Sequence, residues 1–373
     1  MSKKIKLNKQ LISAITVGAL IAVLIVWWAL SLWMPYHISD TPVEIPSDTI
    51  SEHDFEISGN SLLLMNTMGI RAYDKNGEYV WDYAVKTANP FITVSGNKIA
   101  VADTENGQAI ILKRNKVCYE FEESMPISSI TVNNDGYSGV ISSEHGYRSV
   151  FTVYDDFGNL YFKWHSGQNY IVSADISDNN KNMAVAGIST TENNVQTVIN
   201  FFNMNNTTPI GQAVLEGEVA YKLNYFGTKV YVLTDKGIYL YNKKGKLKGS
   251  YIFTGRALHA FAIDDKDNLA VCLSRTDEAG SMLSGSQVIS LSENLKEKER
   301  VSLQFEASCM DAKNDRILVS GLRNVTLLKK SGRILAEGTL KNDASRIKLF
   351  ENGKSFVTLE GSLASVYSIK AGF

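Results

Sequence analysis

One kind of turn punctuates this chain at near-regular intervals, and few folds can follow from it. A turn rich in Gly, Asn and Asp, followed at once by an apolar strand, occurs at Gly59-Asn60, Gly96-Asn97, Asp135-Gly136, Lys181-Asn182, Gly227-Thr228, Asp267-Asn268, Asn314-Asp315 and Asn352-Gly353. The interval is near 40 residues, the length of one four-stranded propeller blade. Between these turns lies a second hairpin, clearest at Tyr73 to Gly77, Tyr154 to Gly158, Tyr241 to Gly245 and Leu328 to Gly332. Weaker copies fall at Lys113 to Lys116, Asn203 to Thr208 and Ser290 to Lys296. The segments between turns alternate over short runs, as in Lys229-Val230-Tyr231-Val232-Leu233, and no 3.6-residue period is sustained. The chain reads as all-β.

With the strands of a blade named a to d from the axis outward, the first turn joins a to b and the second joins c to d. Eight turns of the first kind against seven of the second leave the last blade, Ala344 to Phe373, without a strand d of its own. The segment near 38–50 could supply it and close the ring, satisfying edge strands that would otherwise be exposed. The expectation is an eight-bladed β-propeller spanning 35–373, with seven blades as the alternative.

The N-terminus is of a different character. From Leu11 to Met34 there are 24 residues without a charge, long enough as a helix to cross a hydrocarbon layer of about 30 Å. Lys3, Lys4, Lys6 and Lys9 precede this stretch, whereas Asp40, Glu44, Asp48, Glu52, Asp54 and Glu56 follow it before the first base, Arg71. The positive-inside rule then predicts a cytoplasmic tail at 1–10, one transmembrane helix at 11–34 and a propeller outside the plasma membrane. Trp27, Trp28, Trp33 and Tyr36 gather at the outer end, as interfacial aromatics do. The run is too long for a cleaved signal peptide and ends in Leu32-Trp33-Met34-Pro35 rather than a small-x-small site, so an uncleaved signal anchor is expected. Ala14, Gly18 and Ala22 lie at four-residue spacing, which would permit two such helices to pack closely as a weak dimer contact.

The hairpin Ala72-Tyr73-Asp74-Lys75-Asn76-Gly77-Glu78-Tyr79-Val80-Trp81 resembles the repeat of quinoprotein-like and WD40-like propellers, in which an Asp, a Gly and a Trp four residues after the Gly lock adjacent blades. The equivalent position is Phe162 after Gly158, Gly249 after Gly245 and Ala336 after Gly332, so the motif is divergent. The whole arrangement resembles a family of single-pass, membrane-anchored propellers of Gram-positive bacteria. What the resemblance implies is a shared fold, with no activity to carry over.

No catalytic set is legible. The five histidines, His37, His53, His145, His165 and His259, stand singly, without the paired spacing of a zinc site. Gly353-Lys354-Ser355 lacks the first glycine of a phosphate-binding loop, and no G-x-S-x-G elbow is present. Asp264 to Asn268 lacks the glycine and distal glutamate of a calcium loop. Cys118, Cys272 and Cys309 fall in separate strands and read as small buried residues, with a Cys272–Cys309 bridge as the alternative and at least one free thiol expected from the odd count. No catalytic residue, metal ligand or cofactor is therefore assigned. A net charge of -1 gives no electrostatic basis for nucleic-acid binding.

Two surface features remain. Most b-to-c connections are tight, but Gly187 to Gln196 and Ser274 to Gln287 are long enough to be read as binding loops, with Glu192, Asn193, Asn194, Arg275, Asp277, Glu278, Met282 and Leu283 as candidate contacts. The c-to-d hairpins lean basic, through Lys243, Lys244, Lys246, Lys248, Lys329, Lys330 and Arg333, which suits anionic lipid or a wall polymer. The reading is a scaffold or protein-binding module of the cell envelope with an envelope protein as partner. A ligand sensor, or a hydrolase or lyase working in the central channel, is the alternative.

Overall fold

A computed structural model describes residues 16–23, 25–26, 36–45, 54–191, 194–263, 269–277, 280–361 and 363–371. The chain forms eight antiparallel blades in a ring, and the seven-bladed alternative is excluded. Blade 1 runs from Asp54 to Ala84, blade 2 from Pro90 to Glu122, blade 3 from Ile127 to Ser166 and blade 4 from Tyr170 to Glu216. Blades 5, 6 and 7 occupy Ala220 to Ile252, Leu258 to Ser302 and Cys309 to Thr339. Each of these seven has four strands in chain order.

Blade 8 takes strands a to c from Arg346–Leu349, Ser355–Glu360 and Leu363–Ala371, and its outermost strand comes from the other end of the chain. That strand is split into β1 (Tyr36–Ile38) and β2 (Val43–Ile45), both antiparallel to Leu363–Ala371. The two pieces serve different junctions. Ile38 is buried with Leu318, Leu327 and Leu340 between blades 7 and 8, whereas Ile45 is buried with Phe55, Leu62 and Tyr73 between blades 8 and 1.

Burial follows position in the blade. In blade 1 the inner strand b, Ser61–Asn66, is buried almost end to end because neighbouring blades cover both its faces. The outer strand Tyr79–Ala84 alternates between half-buried and exposed. Eight apolar clusters result, one at each junction, so the core is a ring of interfaces between blades. Trp81 packs into the cluster shared with blade 2, and Phe162 and Ala336 do the same at their own junctions.

The c-to-d hairpins are built by Asp or Asn side chains that imitate a backbone turn. Asp155 Oδ1 accepts the N–H groups of Phe157 and Asn159 at 2.9 and 2.8 Å. Asn242 Oδ1 accepts those of Lys244 and Lys246, both at 3.0 Å. Gly245 closes its turn at φ +77°, with the ring of Phe201 in the preceding blade so near that a Cβ would lie 2.8 Å from it.

Among the described residues no helix is long and apolar enough to cross a membrane. Residues 16–23 and 25–26 are helical and exposed, with Gly18 and Ala22 among them, while Ala14 and much of 11–34 lie outside the described residues. The cysteines are not uniformly buried either: Cys272 is buried, Cys309 half-buried and Cys118 exposed, and all three are free thiols.

Candidate functional site

Three regions were candidates on sequence grounds: the b-to-c loops, the c-to-d rim and the axis. The first loop is not a loop. Strand pairing continues from Gly187 opposite Val198 to Thr191 opposite Asn194, because Ile188, Thr190, Val195 and Thr197 sustain a β-branched pattern through the segment. Asn194 is exposed at its tip, and Glu192 and Asn193 lie outside the described residues.

The second is also a tall hairpin. Arg275 pairs with Leu283 and Thr276 with Met282, past a bulge that accommodates Ser284 and Gly285. Asp277 caps the turn by accepting the Ser281 N–H at 2.8 Å. Met282 and Leu283 are 67 and 42% exposed, Arg275 is half-buried, and Glu278 lies outside the described residues. Between these two hairpins, blade 5 turns in two residues, Asp235 and Lys236. Strand b of blade 4 has ten residues and that of blade 5 has six, so at about 3.3 Å per residue the hairpin stands about 13 Å higher. The result is a saddle over blade 5, flanked by the blade 4 hairpin with exposed Val195 and by the blade 6 hairpin with exposed Leu283 and, on the opposite strand face, Met282, while exposed Tyr221 lies near the start of strand a of blade 5.

On the opposite face, Lys243, Lys244, Lys246 and Lys248 are exposed on the blade 5 hairpin. On blade 7, Arg333 is exposed, while Lys329 and Lys330 are half-buried and Lys329 approaches Asp315 at 3.6 Å.

The axis holds a cavity of about 540 Å³ to which all eight innermost strands contribute, including Glu56, Thr93, Thr131, Asp175, Lys222, Phe261, Asp311 and Lys348. Its charges fall in two groups on opposite walls. At blades 8 and 1, Glu56 accepts from Lys348 at 3.0 Å and lies 3.7 Å from Arg346, which also bonds Asp54. Burial draws the Lys348 ammonium pKa down, but Glu56 and Asp311 outweigh it and the net shift is upward. At blades 4 and 5, Asp175 lies near Lys222, and burial raises its pKa to about 6 against the hydrogen bonds it accepts.

These carboxylates are occupied. Asp175 Oδ2 accepts the Tyr225 N–H at 2.9 Å, and its Oδ1 accepts from Ile176 and Thr131. Asp311 Oδ2 accepts the Leu349 N–H at 2.7 Å. Each ties one blade to the next by capping a backbone donor that has no ladder partner. Among the described residues no group of three or more His, Cys, Asp or Glu could hold a metal ion. Sequence reasoning missed this interblade riveting, since donor and acceptor lie 38 to 50 residues apart.

The ring of four-stranded blades, its closure by the N-terminal strands and its axial cavity define the class as an eight-bladed β-propeller. Within that class, residues 36–367 match the DUF5711 family, a family of unknown function, and the chain belongs to it. No curated protein sequence matches the chain. Among solved structures it is similar to the C-terminal WD40 domain of Sif2, with a TM-score of 0.64 at 12% identity over 88% of this chain and 98% of that one. It is similar also to Sqt1 of Saccharomyces cerevisiae, with a TM-score of 0.61 at 9% identity over 90 and 99% of the two chains. BamB from Moraxella catarrhalis matches with a TM-score of 0.53 at 10% identity over 88 and 100%. Identities this low establish a shared fold alone.

Proposed function

We propose that this protein is a scaffold of the cell envelope, tethered to the plasma membrane by 11–34, that holds a protein partner on its b-to-c face. The observation that carries the reading is the saddle over blade 5. Two hairpins rise well above their neighbour and present Val195, Met282 and Leu283 to solvent, an outlay of exposed apolar surface that a closed ring does not need for its own stability.

The tether is supported by the 24 uncharged residues of 11–34 and by the basic-before, acidic-after flanks, which also favour a cytoplasmic N-terminus and an extracellular propeller. A dimer contact through Ala14, Gly18 and Ala22 belongs to the same reading. The solved propellers it resembles contribute the fold only. A sensing or catalytic role would rest on the charged axial cavity, but Glu56, Asp175 and Asp311 in it are engaged in contacts between blades, which favours the face.

The test is crosslinking and copurification of the full-length chain from its native membrane, beside a variant whose blade 6 hairpin is cut from Thr276–Leu283 to a two-residue turn. A membrane-protein partner captured by the parent and lost from the variant, at unchanged melting temperature, supports the assignment. A variant that retains every partner defeats it.

A further inference from the structure

The pairing register identifies the face of the disc that the N-terminal chain enters. Tyr36 pairs with Ala371 and Ile38 with Ile369, at the end of blade 8's strand c that points to the c-to-d side. Ile45 pairs with Ala364 at the other end of that strand. The chain preceding Tyr36, with its 24 uncharged residues, therefore joins the disc on the c-to-d rim.

Charge on that rim is one-sided. The hairpins of blades 5, 6 and 7, residues 242–249, 293–298 and 329–333, carry nine bases and two acids, one of the bases, Lys329, being paired with Asp315 at 3.6 Å. Those of blades 1 to 4, residues 74–78, 113–116, 155–159 and 203–208, carry four of each. The two acids in the basic arc do little to offset it, because Glu293 is paired with Lys229 at 2.6 Å and Glu297 with Arg300 at 2.8 Å. Apolar side chains are interleaved with the bases: Leu247, between Lys246 and Lys248, is 50% exposed, and Ile334, beside Arg333, is 44% exposed. Blade 7 ends the arc next to blade 8, where the chain enters.

We propose that the c-to-d rim of blades 5 to 7 docks on the anionic lipid headgroups of the membrane that holds the N-terminal segment. The lysines meet lipid phosphates, each contributing up to about 1 kcal/mol near an anionic surface. Leu247 and Ile334 enter the headgroup and acyl boundary as apolar side chains of interfacial proteins do. A soluble polyanion would satisfy the lysines but would leave the two apolar side chains in water, which favours the bilayer. The disc then lies with its c-to-d face down and the saddle over blade 5 pointing away from the membrane. This rests on the tethered reading above.

The experiment uses the full-length chain with Cys118→Ser, carrying a fluorophore at Leu247→Cys or Met282→Cys, reconstituted in vesicles containing a nitroxide-headgroup lipid. Flotation after alkaline extraction reads the tether, and quenching reads the rim. The expected result is flotation in all vesicles, with quenching at 247 at least about twofold stronger with about 30% phosphatidylglycerol than with phosphatidylcholine alone, and reversed near 1 M salt, where the screening length is about 3 Å. Position 282 stays unquenched, and Lys243→Glu with Lys244→Glu, Lys246→Glu and Lys248→Glu abolishes the signal at 247 without lowering the melting temperature. Flotation with no quenching at 247, or with quenching at 282 instead, overturns the docking and leaves the tether standing. Binding of soluble poly(glycerol phosphate) without lipid quenching overturns it in favour of a wall polymer. Loss of flotation overturns the tether and the docking together.

Discussion

Asp175 of blade 4 accepts the backbone N–H of Tyr225, fifty residues further on in blade 5, at 2.9 Å. The same device recurs where Asp311 of blade 7 receives Leu349 of blade 8. The inner strand of each blade exposes an unpaired edge toward the axis, and these carboxylates answer donors along it.

Asp175 has a pKa raised from 3.8 to about 6, chiefly by burial, with Lys222 opposing the shift. A carboxyl whose native pKa exceeds its unfolded value stabilises the fold fully below the unfolded value and loses that contribution as pH rises through the native one. Asp175→Asn keeps an acceptor and cannot ionise. Denaturant titrations should therefore show the variant gaining on the parent between about pH 4 and pH 7. A constant difference over that range would mean that the native pKa is ordinary.

Ring closure depends on two small apolar anchors. Ile38 and Ile45 are 2 and 1% exposed and sit in different junctions. Replacing either with Ala should cost about 2–5 kcal/mol, measured by urea unfolding. Removing 36–45 altogether should bare the edge of Leu363–Ala371 and produce concentration-dependent association in sedimentation.

Two glycines with positive φ separate backbone strain from steric conflict. Gly227, at φ +55°, has no neighbour within 4 Å of an added Cβ, whereas Gly245 faces Phe201. Gly227→Ala should lose about 1 kcal/mol through strain. Gly245→Ala should lose about 1–3 kcal/mol more, because overpacking is added. Equal losses would show that the Phe201 ring yields freely.

Glu56 serves two bases, Lys348 and Arg346, at the inner edge of blades 8 and 1. Glu56→Ala should destabilise by about 1–3 kcal/mol, since it removes the acceptor of half-buried Lys348, while Arg346 keeps Asp54 and the Phe55 carbonyl. Adding Lys348→Met should recover part of that loss, and a double-mutant cycle gives the coupling. Additive losses would mean that the pair contributes nothing net.

Much of the fold was legible in sequence because the turn chemistry is local. Asp155 and Asn242 build their hairpins from groups two and four residues away, so each hairpin announces itself within five positions. The tall hairpin of blade 4 is harder to read, because Gly187, Ser189 and Asn194 interrupt its apolar alternation, although the β-branched residues around them keep the ladder paired. The split outer strand of blade 8 was harder to see, since Ile38 and Ile45 face different neighbours and no period-two pattern links them. The saddle was invisible for a related reason. It arises from the height of two hairpins relative to a third, and no single segment encodes it.

The closure also orders events in time. Ser368 donates its N–H to Ser39 across 329 positions of sequence, so the first strand made must wait for the last. At about 5–20 residues per second of synthesis, that interval is roughly 15–65 s. For all of it the growing ring is open at both ends, with Ile38 and Ile45 uncovered. A product that stops before Leu363 lacks the strand on which Tyr36–Ile38 and Val43–Ile45 pair, and has no means of finishing the circle.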